Sequence, residues 1–172
     1  MTLISTIPAS KRRYGAALWA GFWGGNIASF VKWGVENILP PRTSDRAIPP
    51  AEMLNNLGLQ PSQMVYQYSG HVLNWGISGV HHLFSIAFAL FYCMIAECIP
   101  AIKAGQGIVF AIGVTIIFHG VILPIFHWAP PIWSLPPAEL FSETLGHIAW
   151  MWTIEVFRRD LRSRITGCKD EQ

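Results

Sequence analysis

Charge is what this sequence has least of: 13% of its 172 residues are Asp, Glu, Lys or Arg, against about a quarter in soluble domains. An ordinary water-facing surface is hard to build from so little. Cysteine is scarce too. Cys93 and Cys98 lie in or beside an apolar run and Cys168 in a basic tail, with no CxxC or zinc-like pair among them, which argues against a disulfide framework. The chain also lacks GxSxG, HExxH, a phosphate-binding glycine loop, a dinucleotide fingerprint and the CxxCH of covalent haem. Catalysis of those kinds has no support, and the chain leans away from being an enzyme.

What is present is apolar. Hydrophobic residues make up 52% of the chain, with 8 Trp and 10 Phe, and aromatic rings favour membrane interfaces. Apolar runs cover about 15–39, 68–98, 105–126 and 138–157, each long enough to cross a bilayer as a helix of about 20 residues. The expected fold is an all-α membrane protein with about four transmembrane helices, a single transmembrane domain over 1–172. The first run is too long for a signal peptide, contains Lys32 and Glu36 and has no small-x-small cleavage site, so it reads as a retained span. Pro40, Pro41, Pro49 and Pro50 punctuate a loop over 40–67, where no compact fold is expected. Pro124 should kink or end the third run, and a second loop covers 127–137.

Basic residues orient the chain. Lys11, Arg12 and Arg13 precede the first run, Lys103 sits in the short second connection, and Arg158, Arg159, Arg162, Arg164 and Lys169 follow the last. Only Arg42 and Arg46 occupy the other side. The positive-inside rule then places both termini in the cytoplasm of a bacterial inner membrane, the basic tail 158–172 inside and both long loops in the periplasm. Because these clusters flank apolar runs, they serve orientation and not nucleic acid. The bilayer is the expected partner, and the GxxxG at Gly21 and Gly25 offers a face for a homo-oligomer.

Ionisable groups inside spans are costly and raise a functional question. On a helix running through the second span, His71, Asn74, Ser78, His82 and Ser85 fall within a stripe of roughly 80°. Lys32 and Glu36 share a face of the first span, Thr115 and His119 a face of the third, and Glu143 and His147 a face of the fourth, with His127 at an outer end. Lys32, Glu36, His71, Asn74, His82, His119, Glu143 and His147 are therefore expected to converge on a chamber open to the periplasm. A plain structural role, polar groups joining helices, suits the same residues. So does a chamber that senses or relays protons, since His titrates near pH 6.5. A third reading is a membrane redox protein, binding a metal through His71, His119, Glu143 and His147 or haem b between His82 and His119. The Glu143–His147 spacing is not the Glu-x-x-His of di-iron bundles, and absence of any cofactor is the leading expectation.

The segments KRRYG (11–15), SFVKWGVENILPPR (29–42), SGHVLNW (69–75), FYCMIAECIP (91–100), SETLGHIAWMWTIE (142–155) and RRDLRSRIT (158–166) resemble the YagU family of bacterial inner-membrane proteins. The resemblance runs in the same order through nearly the whole chain, although the loop after Arg42 is shorter here and lacks cysteines found there. It implies an inner-membrane address and a contribution to acid resistance, a stress response, in a family of unknown function with no established catalytic or binding residue. It therefore favours the proton reading over haem. Its motifs also coincide with Lys32, Glu36, His71, Asn74, Glu97, Glu143, His147 and Glu155.

Overall fold

A computed structural model describes residues 6–39, 45–46 and 48–170. Pro40, Pro41 and Arg42, assigned above to the first outer loop, lie outside the described residues. The first apolar run forms helix α1, Tyr14–Ile38, and its small residues decide where it sits. Ala17, Ala20, Gly21, Gly24, Gly25 and Ala28 are buried, while Trp19, Phe22, Trp23, Ile27 and Phe30 face outward. A face stripped of bulk lets neighbouring backbones approach closely. A methyl group on Gly25 would stand 2.7 Å from Ile86 Cα, and one on Gly21 2.9 Å from Leu90 Cα. Both belong to helix α3, Trp75–Ala96. The Gly21/Gly25 expectation is corrected here: the pair makes an intrachain contact and is not offered to a second copy.

Helix α5, Pro137–Thr166, lies on the other side of α1, with Ile154 and Phe157 against Gly24. Helix α4, Ile108–Ile125, packs on α5. Tyr92, Cys93, Trp150, Met151 and Ile154 fill the core with Ala111 and Val114. Beside them Phe84, Phe88 and Phe118 meet ring to ring at 4.5–5.2 Å.

The distribution of side chains is inverted relative to a water-soluble domain, where charged residues are almost never fully buried unless paired. Leu83 is 69% and Val109 61% exposed, whereas Glu36, Glu143, Glu155 and Arg158 are buried. That arrangement suits hydrocarbon surroundings, in which polar groups turn toward the bundle interior. Among the described residues, α3 and α4 are long and apolar enough to cross a membrane.

Two connections depart from expectation. The 68–98 run does not start as a helix: Val65–Tyr68 (β1) and His71–Asn74 (β2) pair antiparallel, Val65 opposite Asn74 and Tyr68 opposite His71. Ser69 and Gly70, at φ 49° and 79°, form the two-residue turn whose twist suits a hairpin. Asn74 then stops the strand and starts the helix, its side chain accepting from the Ile77 N–H at 3.0 Å. The described part of the 40–67 loop holds more regular structure than its prolines suggested. Pro49 and Pro50 open a short helix α2, Pro49–Asn56, because the first helical turn has no use for their missing N–H. Leu54 of α2 is buried at the start of α3.

Pro124 acts as expected, but upstream of itself. It offers no N–H to the Gly120 carbonyl, and its ring crowds that carbonyl. The helix answers with a π-turn over Phe118–Ile122 and ends near His127, which turns left-handed at φ 57°. His119 sits in the π-turn and is buried.

Candidate functional site at the Glu143 end of the bundle

Helix α5 carries Glu139, Glu143 and His147 at successive four-residue steps, so one face presents all three. Glu143 is the hub. Its Oε1 takes a charge-assisted bond from Arg46 Nη2, and its Oε2 lies 3.8 Å from Lys32 Nζ and 3.4 Å from His119 Nε2. Lys32 also pairs with Glu36 one turn along α1. Arg46 places Nε 3.1 Å from Glu139 Oε1 and donates from Nη1 to Ser142 Oγ at 3.5 Å. The Ser142 hydroxyl in turn donates to the Glu36 backbone carbonyl at 3.4 Å. Gly146 makes room for all this: a Cβ there would fall 2.7 Å from Glu36 Cγ.

His147 is held by a local bond. Its Nδ1–H donates to the Glu143 carbonyl at 2.8 Å, so Nε2 is the acceptor whenever the ring is neutral. The His119 and His147 rings meet edge to face at 5.3 Å, and Trp150 closes the far side of His147 at 5.9 Å. One ligand atom from each of His119, Glu143 and His147 lies within 4.8 Å of the others, and all three residues are buried. Two imidazoles and a carboxylate are a donor set that zinc accepts. Against that fit, both Glu143 oxygens already face cations.

The cluster forms one wall of a cavity of about 480 Å³ between α1, α3, α4 and α5. Helix α2 lends Pro49 and Met53 to the cavity, the hairpin lends Val72 and Leu73, and the aromatic walls are Trp33, Phe84, Phe118, Trp128 and Trp150.

The structure brings together five of the eight expected residues: Lys32, Glu36, His119, Glu143 and His147. Asn74 lines the cavity but is spent on its cap and on the Pro61 carbonyl at 2.8 Å. His71 is an exposed strand residue and does not join them, which corrects its place in the chamber and among the metal candidates. His82 turns aside. Its Nε2 bonds Asn26 Oδ1 at 2.9 Å and its ring meets Phe30 at 5.0 Å, while His119 is engaged with Glu143. The haem pairing of His82 with His119 is corrected accordingly. The neighbouring His81 lines the cavity instead, donating to the Ser29 carbonyl at 3.3 Å.

Sequence reasoning missed Arg46 and Glu139. Glu139 was findable, since it precedes Glu143 by one turn on the same face. Arg46 carries no local signal, because an arginine in a proline-rich loop is ordinary.

A second charged group lies 12–15 residues further along α5, about 18–22 Å away. Arg158 grips Glu155 through Nε and Nη2 at 2.6 and 2.8 Å and also binds Asp170. Arg162 holds Glu97, whose Oε2 further accepts the Arg13 backbone N–H at 2.8 Å. Tyr92 donates to Glu155 at 2.9 Å, and Lys103 reaches Asp170 at 3.4 Å. Partial burial pushes the Asp170 carboxyl up, but its bond to Arg158 and the surrounding cations outweigh this and hold it below the usual Asp value.

A family model described as "Protein of unknown function (DUF1440)" matches residues 26–156. The chain is similar to the inner membrane protein YagU of Escherichia coli (strain K12), with 35% identity over 198 residues that cover 100% of this chain and 97% of the relative. No solved structure matches it.

Proposed function

The chain belongs to the DUF1440 family, and on that premise we propose that it is a four-span inner-membrane protein with both termini in the cytoplasm, whose Glu143 cluster responds to protons and supports survival in acid. The observation that carries this is the convergence of His119, Glu143 and His147 on a cavity wall. Basic residues weigh toward the α5 C-terminal end, which the positive-inside rule puts in the cytoplasm. The Glu143 end then faces the periplasm, the side that acidifies first. At 25 and 30 residues, α1 and α5 are long enough to span, and α1 turns large apolar side chains outward.

Protonation of either imidazole would add charge to a group already containing Lys32 and Glu36 from α1, Arg46, Glu139 and Glu143, with His81 of α3 on the same cavity. Such a change redistributes the ion pairs, and Trp150 beside His147 supplies a reporter. Tryptophan emission of the reconstituted protein is expected to change sigmoidally as external pH falls from 7 to 4. The transition should disappear in His147→Gln and move in Glu143→Gln, and both variants should lower acid survival at normal expression. A flat wild-type titration, or unchanged survival in both variants, would sink the reading.

The three clustered donors support a second reading, a zinc site at His119, Glu143 and His147. Its test is elemental analysis: about one zinc per chain, lost in His119→Gln. Metal-free protein that also fails to take up added zinc rejects it.

A further inference from the structure

The cavity beside the Glu143 cluster contains two polar groups that the charge network leaves unused. Ser78 Oγ and Trp128 Nε1 are buried and have no hydrogen-bond partner among the described residues, and both side chains line this cavity. An indole N–H can only donate, and a buried donor left unsatisfied is costly, so a guest that brings an acceptor to Trp128 gains by it. Ser78 stands well placed to help. Helices α1 and α3 run antiparallel with Gly25 against Ile86 and Ser29 against His81, a register that sets Lys32 level with Ser78.

Charge narrows the occupant. Lys32 is engaged by Glu36 and Glu143, and Arg46 by Glu139 and Glu143. An anionic guest would join the lining carboxylates Glu36 and Glu143, and a cationic guest would have to displace Lys32 from them. An uncharged guest meets neither penalty. The aromatic walls favour a flat, apolar body, and a volume of about 480 Å³ lies in the range of small-molecule sites.

We propose that this cavity is a binding site for a lipid-soluble quinone, its ring between the aromatic walls and a carbonyl oxygen accepting hydrogen bonds from Ser78 and Trp128. A quinone joins the required properties: a planar uncharged ring, carbonyl acceptors and solubility in the bilayer that surrounds the bundle. The site does not depend on titration of the histidines, so it stands or falls separately from the proton reading.

The test uses the full chain in nanodiscs at neutral pH with decylubiquinone as probe. Intrinsic tryptophan emission should be quenched saturably, at about one quinone per chain. Ser78→Ala and Trp128→Phe should each weaken the midpoint about fivefold, the loss of one neutral hydrogen bond, while Ser78→Thr keeps the hydroxyl and should bind like wild type. Excess decanoate or tetraphenylphosphonium should leave wild-type quenching unchanged. Quenching that only rises in proportion to quinone in the lipid would overturn the site. Wild-type affinity in both Ser78→Ala and Trp128→Phe, or displacement by the anion or the cation, would overturn it as well. The competition experiment needs no variant, so it decides even if a substitution fails to fold.

Discussion

The two charged regions of α5 are built from similar residues to opposite effect. At the Arg158 end, guanidinium groups meet carboxylates in close, mostly bidentate pairs, and Tyr92 and a backbone N–H take up further lone pairs. Arg does not change protonation at any physiological pH, so that end is a fixed clasp joining α1, α3 and α5 to the C-terminal segment. At the Glu143 end, imidazoles replace part of the arginine, and the cluster forms the wall of a cavity in which Ser78 and Trp128 lack partners. Buried charge alone therefore does not mark function in this molecule. Both ends border a pocket, so open space does not separate them either, and the imidazoles are what distinguish the Glu143 end.

The sharpest way to break the comparison is to remove one side of the clasp. Arg162→Ala strands Glu97, and losing one partner of a buried ion pair costs about 3–5 kcal/mol. Unfolding in detergent should register that loss, while the pH-dependent tryptophan signal persists in whatever protein folds. A value near zero would mean the clasp is solvated. Next in size is Gly25→Val, which drives a side chain into the Ile86 backbone. Overpacking of this kind costs about 1–3 kcal/mol, measurable in the same melt, and a neutral result would refute the close α1–α3 contact.

The pH response should also differ between the ends. Because the folded-state value of Asp170 is depressed, its contribution is complete above the ordinary Asp pKa near 3.8 and is lost as pH falls through the lower folded value. Proteolysis of the C-terminal segment should therefore rise only below about pH 4, later than the tryptophan transition at the other end. Asp170→Asn should make that cleavage independent of pH. The smallest effect belongs to His71→Ala: an exposed strand residue, its loss should change stability by no more than about 0.5 kcal/mol and leave the pH response intact. A large effect would return His71 to the site.

Where helical periodicity applied to a segment that is helical, the site was legible. Lys32 with Glu36 and Glu143 with His147 share faces as their spacing required, and Thr115 with His119 survive the π-turn because both precede the distortion or lie at its start. The same rule misplaced His71 because residues 71–74 are extended, with a period of two and not 3.6. The Ser69–Gly70 turn was the available warning. His82 failed for a different reason: the face of α3 that meets the cavity runs through His81 and Ser85, one position aside. Arg46 depended on tertiary folding of the segment before α2, and no local pattern announces that.

The internal pairing of Lys32 with Glu36 also bears on how the chain is made. Helix α1 leaves the ribosome long before α5, so Glu143 cannot meet Lys32 until more than a hundred further residues have followed. On the four-span reading proposed above, the first helix carries its own counter-ion one turn away during that interval, and its two charges would enter the bilayer as a neutral dipole. The later arrival of Glu143 and Arg46 enlarges a pair that was already complete, which frees the order of synthesis from the order of assembly.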